Sequence, residues 1–135
     1  MIQSSVEIRV RYAETDRMGF VYYGNYSTYF EVARVEMLRN LGISYKELED
    51  KGISLPVLEY RIKYLKPAFY DQLLTISTKI TTLPAARIRF EYETRNESGD
   101  LLNVAETTLV FINSQTLKPC SPPDYVISKM ISYFS

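Results

Sequence analysis

The sequence predicts a two-layer α+β domain, with one long amphipathic helix packed on a five-stranded antiparallel sheet. Three observations carry that reading. The first segment alternates apolar and polar residues with period two. The segment from Asn25 onward repeats its apolar residues at helical spacing. Four further strand-like segments then follow one another across short turns. Strands joined by short loops pair antiparallel, and a helix with one apolar stripe buries it against such a sheet.

Residues 5–13 place Val6, Ile8, Val10 and Tyr12 on one face and Glu7, Arg9 and Arg11 on the other, the pattern of a half-buried strand. From Asn25, the residues Tyr26, Tyr29, Phe30, Ala33, Met37 and Leu41 keep the i, i+3, i+4, i+7 spacing of one helix stripe over 25–41. Asn25 is the expected N-cap, its amide oxygen accepting a free N–H. Gly42 is the expected left-handed residue that ends the helix. Glu31 and Arg34 lie off the stripe and are expected as a solvated i, i+3 pair. Ser44 and Glu47 have the spacing of a capping box, so a short second helix follows and Gly52 stops it.

The remaining strands are read over 55–65, 72–82, 87–95 and 101–113. Pro67 and Asp71 mark the turn between the first two. In the third, Ile88, Phe90 and Tyr92 share one face, with Arg87, Arg89, Glu91 and Glu93 opposite. Residues 96–100, Asn-Glu-Ser-Gly-Asp, form a hairpin loop. Pro122 and Pro123 precede a short C-terminal helix. No repeat, linker or low-complexity stretch interrupts the chain, which reads as a single domain over 1–135.

Composition then narrows the function. The 135 residues are 46% hydrophobic and 24% charged, as in ordinary globular proteins. Sixteen basic and sixteen acidic residues cancel, which argues against nucleic acid as the main partner. No apolar run reaches the roughly 20 residues of a membrane span, and the N-terminus lacks a secretory h-region, so a cytoplasmic location is expected. Cys120 stands alone, which excludes an internal disulfide and a cysteine-based zinc cluster. Neither a metal site nor a cofactor motif is read. There is no histidine. Ser-His-Asp and Cys-His triads, HExxH zinc sites and histidine acid/base catalysis are therefore excluded. Any such chemistry falls to Asp, Glu, Lys, Tyr or Cys.

One stretch, ETDRMGFVYYGNYSTYFEVAR, combines the parts of a reaction site. Asp16 puts a carboxylate at a strand end. Gly19 and Gly24 let the backbone turn sharply or approach a ligand. The helix then begins near Gly24, where free N–H groups and the positive end of the dipole can hold an oxyanion. Taken alone, Asp16 reads as an Asx-turn residue. Set beside an oxyanion donor, it forms a minimal acyl-transfer site.

The Asp-x-x-Gly-x-Val-x-Tyr-x-Asn-Tyr run of residues 16–26, followed by Pro-Ala-x-x-Asp-x-Leu at 67–73, resembles the 4-hydroxybenzoyl-CoA thioesterase-like family of the hotdog fold. The resemblance covers nearly the whole chain. It implies a five-stranded antiparallel sheet wrapped around one long central helix, with subunits paired edge to edge as a homodimer or homotetramer and sites between them. It implies hydrolysis of a thioester, usually of coenzyme A, an acyl carrier protein being the other possible carrier. Asp16 matches the catalytic carboxylate, acting as general base or as nucleophile. Tyr23 matches the position whose backbone N–H polarises the thioester carbonyl. Members of the family carry histidine or tyrosine there. Tyr12 matches a tyrosine near the site in some members, and Gly24 lies where the backbone approaches the substrate. Lys63, Lys66, Arg87 and Arg89 are candidate partners for the coenzyme A phosphates. Two other functions fit the same fold. One is a non-catalytic module that binds acyl-CoA or acyl carrier protein. The other is a hydroxyacyl-thioester dehydratase, whose chemistry in related families uses a histidine this chain lacks.

Overall fold

The structure is a computed structural model and describes residues 1–134. Its main sheet has five antiparallel strands: β1 (Ile2–Arg9), β3 (Val57–Tyr64), β4 (Leu73–Ile80), β5 (Arg87–Arg95) and β6 (Leu101–Val110). Their order across the sheet is β1-β4-β5-β6-β3. A two-stranded ladder, β2 (Ile53–Ser54) with β7 (Ile112–Asn113), lies outside it. The helices are α1 (Asn25–Asn40), α2 (Tyr45–Asp50) and α3 (Asp124–Met130). The expected α+β class and five-stranded antiparallel sheet are present.

Helix α1 crosses the inner face of the sheet and carries the core. Tyr26, Tyr29, Phe30, Ala33 and Met37 are buried, as their spacing requires. The Phe30 ring stacks on Tyr92 of β5 at 4.5 Å between centroids and meets Tyr60 of β3 edge-on at 6.1 Å. Burying each such ring contributes on the order of 2–3 kcal/mol. The helix also packs against β1 and β4.

At 16 residues, α1 rises about 24 Å. That is no longer than the strands it crosses, at roughly 3.3 Å per residue, so the expectation of one long central helix is corrected. Its end has a local cause. Gly42 takes φ +82°, Ile43 N–H donates to the Leu38 carbonyl at 2.8 Å, and Gly42 N–H donates to that of Arg39 at 2.9 Å. These are the two closing bonds of a Schellman motif, as the glycine predicted. Ser44 caps α2 as read, with Glu47 N–H on its Oγ at 3.0 Å.

The strands read over 55–65 and 72–82 are shorter, at Val57–Tyr64 and Leu73–Ile80, and other boundaries depart further from the sequence reading. Strand β1 begins at Ile2 and ends at Arg9 rather than running over 5–13. Val10 still bridges to Asp71 and Gln72 through its backbone. Arg11 then turns the chain out of the sheet into a 3-10 turn at Tyr12–Glu14, which leaves Tyr12 exposed. The predicted last strand, 101–113, breaks after Val110 because Phe111 N–H bonds the Ala86 carbonyl and its carbonyl receives Cys120 N–H. Asn25 is the first helical residue and not the N-cap. Gly24 caps the helix without a side-chain bond.

Strand β3 differs from the others. Val57, Leu58, Tyr64 and Leu65 are each about half exposed, although Tyr60 and Tyr64 touch α1. Among the described residues the strand pairs only with β6, so its other edge is bare there.

Candidate active site

The connection from β1 to α1 doubles back on itself. Thr15 bridges Val21, Asp16 N–H donates to the Phe20 carbonyl at 2.8 Å, and Tyr22 N–H donates to the Glu14 carbonyl at 2.8 Å. The outgoing arm is anchored in turn. Val21 N–H bonds the Ala68 carbonyl at 2.8 Å, and the Phe20 and Phe69 rings meet edge-on at 5.2 Å. Asp16 and the start of α1 thus sit on adjacent arms of one short ladder.

Asp16 is half-buried, and its two oxygens differ. Oδ1 accepts Met18 N–H at 2.9 Å and Phe20 N–H at 3.2 Å, which is the Asx-turn chemistry the bland reading required. Oδ2 has no protein partner among the described residues. Asp16 therefore spends one oxygen on the turn, and the other is uncommitted among the described residues. At the head of α1, Tyr23 and Gly24 N–H groups have no protein acceptor among the described residues, whereas Asn25 N–H bonds Tyr22 and Tyr26 N–H bonds Tyr23. The ladder pairs Glu14 with Tyr22, and Asp16 stands two residues along, about 7 Å.

What fixes this geometry is a residue the sequence reading passed over. Glu14 is only 8% exposed. Its carboxylate accepts Arg11 N–H at 2.8 Å, two bonds from the Arg11 guanidinium at 3.2 and 2.9 Å, and the Tyr29 hydroxyl at 2.8 Å. Its main-chain carbonyl takes both Tyr22 N–H and the Asn25 side-chain amide, each at 2.8 Å. Burial alone would raise the Glu14 carboxyl, but the bonds from Arg11 and Tyr29 reverse that and hold it below the usual carboxylate range. Burial and the same carboxylate push the Tyr29 hydroxyl up. Glu14 so ties the Asp16 loop to the first and second turns of α1. The signal was available: a glutamate four positions before Met18 in an otherwise solvated loop, with a tyrosine on the helix stripe able to reach it.

The other predicted residues scatter. Tyr12 is 78% exposed and leans on Tyr70 at 5.5 Å. Tyr23 is exposed with its ring 4.7 Å from Tyr22. Gly24 is tight in a specific way: a Cβ there would come within 2.9 Å of the Tyr22 ring. The four cations do not form one cluster. Lys66 N–H bonds the Leu102 carbonyl, near the Asp16 end of the sheet, and its ammonium lies 3.7 Å from Asp100. Lys63 sits near the end of the edge strand β3, on the outer face opposite Val104. Arg87 faces Val110 at the other end, and Arg89 there is paired with Glu106 and Glu91. A hollow of about 810 Å³ lies on that outer face among Arg61, Lys63, Lys79, Glu91, Glu93 and Glu106, away from Asp16. Its opposed charges neutralise one another, so its size alone does not make it the reaction site.

Arg34 is a second correction. It is 7% exposed rather than solvated, and it makes no ion pair with Glu31. Its Nε donates to the Tyr45 hydroxyl at 3.1 Å.

A sequence profile described as the thioesterase-like superfamily matches residues 10–130. The chain belongs to that superfamily. Among curated relatives of this thioesterase-like chain, an acyl-CoA thioester hydrolase, YbgC, of Escherichia coli is 32% identical over 122 residues, covering 90% of this chain and 91% of the relative. A DHNA-CoA thioesterase from Staphylococcus aureus superposes with TM-score 0.90 at 39% identity, covering 98% of this chain and 93% of that one. A 1,4-dihydroxy-2-naphthoyl-CoA thioesterase from Synechocystis superposes with TM-score 0.86 at 27% identity, covering 93% and 96%. These likenesses agree with the hotdog thioesterase resemblance that the 16–26 motif carries. No helix among the described residues is long and apolar enough to cross a membrane.

Proposed function

We propose that the protein hydrolyses an acyl thioester of coenzyme A, with Asp16 as the catalytic carboxylate and the Tyr23 and Gly24 amides as the oxyanion donors. The observation that supports this reading is one uncommitted carboxylate oxygen on Asp16 and two uncommitted N–H groups at the head of α1, on chain segments joined by the short ladder of residues 14–16 with 20–22. The names borne by the relatives point the same way. In the hydrolytic step the thioester carbonyl oxygen accepts bonds from the two amides, and negative charge grows on it as the carbonyl carbon becomes tetrahedral. Asp16 Oδ2 takes a proton from the attacking water as the C–O bond forms. The C–S bond then breaks, and the sulfur leaves as coenzyme A thiolate, which takes up that proton. In the nucleophilic variant, Oδ2 itself attacks and water opens the resulting anhydride.

The bare edge of β3 supports assembly as a homodimer or homotetramer, in which a second β3 continues the sheet and covers Val57, Leu58 and Leu65. Lys63, Lys66, Arg87 and Arg89 would then meet coenzyme A phosphates across such an interface rather than within one chain.

The test is turnover of an acyl-CoA and acyl-carrier-protein panel by wild type and Asp16→Asn. The variant is expected to lose at least a hundredfold in kcat, within the range for a missing general base, while keeping its melting temperature. Binding without turnover by the wild type would leave a non-catalytic binding module. An equally active, folded Asp16→Asn would remove Asp16 from the chemistry. Label found in Asp16 after one turnover in ¹⁸O-labelled water would establish the nucleophilic route, since general-base hydrolysis leaves none there.

A further inference from the structure

Tyr26 stands in the first turn of α1 and is buried. Its N–H donates to the Tyr23 carbonyl at 3.2 Å. That carbonyl and the Gly24 N–H belong to one planar peptide and point in opposite directions. Whatever holds Tyr26 therefore also aims the Gly24 N–H, one of the two proposed oxyanion donors. The Tyr26 side chain reaches from the helix to the sheet. Burial and then the Tyr64 hydroxyl push its own hydroxyl up, while the Asn103 amide and the Ala68 backbone beside it work against them. These neighbours belong to the frame of the site. Leu65 and Lys66 N–H groups donate to the Leu102 carbonyl at 2.8 and 3.0 Å, and the Ala68 carbonyl holds Val21 at 2.8 Å. Tyr26 thus ends where α1, β6 and the turn after β3 meet.

The sheet beneath it is polar at a point where a core is normally apolar. Asn103 of β6 and Thr94 of β5 are each 0% exposed and stand directly opposite one another in the register. Asn103 Oδ1, Asn103 Nδ2 and Thr94 Oγ1 are buried, and none makes a hydrogen bond among the described residues. The Asn103 amide is near the Tyr26 hydroxyl without being aligned to bond it. Three adjoining buried polar atoms left without partners would be costly, and an apolar pair would serve better. One water satisfies all three. It accepts from Nδ2, donates one proton to Oδ1 of the same amide and donates the other to Thr94 Oγ1, the set of about three bonds typical of buried water. Its remaining lone pair accepts from the Tyr26 hydroxyl.

We propose that Asn103 and Thr94 bind one internal water beneath the first turn of α1, and that Asn103 is a positioning residue that acts through this water and Tyr26 on the oxyanion amides. The proposal rests on the thioester-hydrolase reading above. The water is a fixed part of the fold and is distinct from the one that attacks the thioester.

The experiment begins with Asn103→Leu, which nearly keeps the side-chain volume and removes both amide atoms. If the three atoms simply lacked partners, this variant would be at least as stable as wild type. With the water bound, its melting temperature is expected to fall by several degrees. Its kcat per folded protomer, on the acyl-CoA that wild type turns over fastest, is expected to fall at least fivefold with KM within twofold. Thr94→Val is expected to act in the same direction, and Thr94→Ser to recover most of that loss because it restores the hydroxyl. In a Tyr26→Phe background, Asn103→Leu is expected to cost less than a further twofold in kcat, since the two residues act through one set of contacts. A crystal structure of the wild type is expected to show a water bonded to both Asn103 and Thr94. If Asn103→Leu does not fold, the two Thr94 variants and that crystal structure decide. A wild-type crystal structure with no water there overturns the proposal. So does a folded Asn103→Leu as stable as wild type, or a loss confined to stability with kcat unchanged. Failure of the thioester-hydrolase reading looks different: wild type would turn over no acyl-CoA, while the water and the melting shift would still be observed.

Discussion

The bond between Tyr29 and Glu14 allows a quantitative test of how the Asp16 loop is held. Tyr29→Phe deletes one hydroxyl from a fully buried position and leaves the ring packing against Tyr26 in place. The hydroxyl donates to Glu14 Oε1 at 2.8 Å, and that oxygen keeps a second donor, Arg11 N–H. A hydrogen bond to a charged group contributes about 1.5–3 kcal/mol. Because the carboxylate keeps its other partners, less than the full amount is lost, about 1–2 kcal/mol. Glu14→Gln removes the charge from the same bond. The two substitutions touch each other, so they should not add: a double-mutant cycle is expected to return a coupling of about 1–2 kcal/mol. Urea unfolding at fixed protomer concentration measures it, each kcal/mol moving the midpoint by roughly 0.5 M. A coupling below about 0.3 kcal/mol, the scatter expected of independent sites, would refute the claim that this bond staples the loop to α1. The same variants should lower kcat more than they raise KM, since they loosen the placement of Asp16.

Other outcomes follow from the same structure. Gly42→Ala should cost about 1–2 kcal/mol, because φ is +82° and the new Cβ would meet Lys129 Nζ at 3.1 Å; a fall in melting temperature of several degrees checks it. At high pH the sign is set by Tyr26, whose hydroxyl burial pushes up to about 12 from 10.0. The folded state holds that proton more tightly. The stability it contributes is thus complete below pH 10 and is lost as pH rises toward 12, which melts across that window would show. At low pH the sign reverses. Glu14 is held below its ordinary value, so its contribution is present above a pH of about 4.3 and is lost on further acidification. In acid melts Glu14→Gln should therefore lose less stability than wild type.

Much of the fold could be read from periodicity because backbone geometry forces it. Alternation gave the strands, and the Tyr26–Met37 spacing gave α1. Gly42 and Ser44 marked where α1 ends and α2 begins. Each is a contact between residues near in sequence, where the chain's own geometry leaves few options. The Asp16 segment was legible for the same reason: a carboxylate, two glycines and a helix start lie within ten residues.

What the sequence did not determine depends on residues brought together from afar. Periodicity put Arg34 on the solvated side of α1, yet the edge strand and Tyr45 close over it and bury it. Tyr12 kept the strand pattern but left the sheet, because Arg11 is drawn into the Glu14 carboxylate instead of the next rung. The four cations looked like one group on adjacent strands, but antiparallel register sends Lys66 and Arg87 to opposite ends. The sequence alone determined the elements and the presence of a carboxylate beside a helix start. Tertiary structure decided which Asp16 oxygen stays free, which glutamate holds it, and which arginine loses its solvent. Those outcomes depend on burial and on long-range hydrogen bonds, which no local pattern encodes.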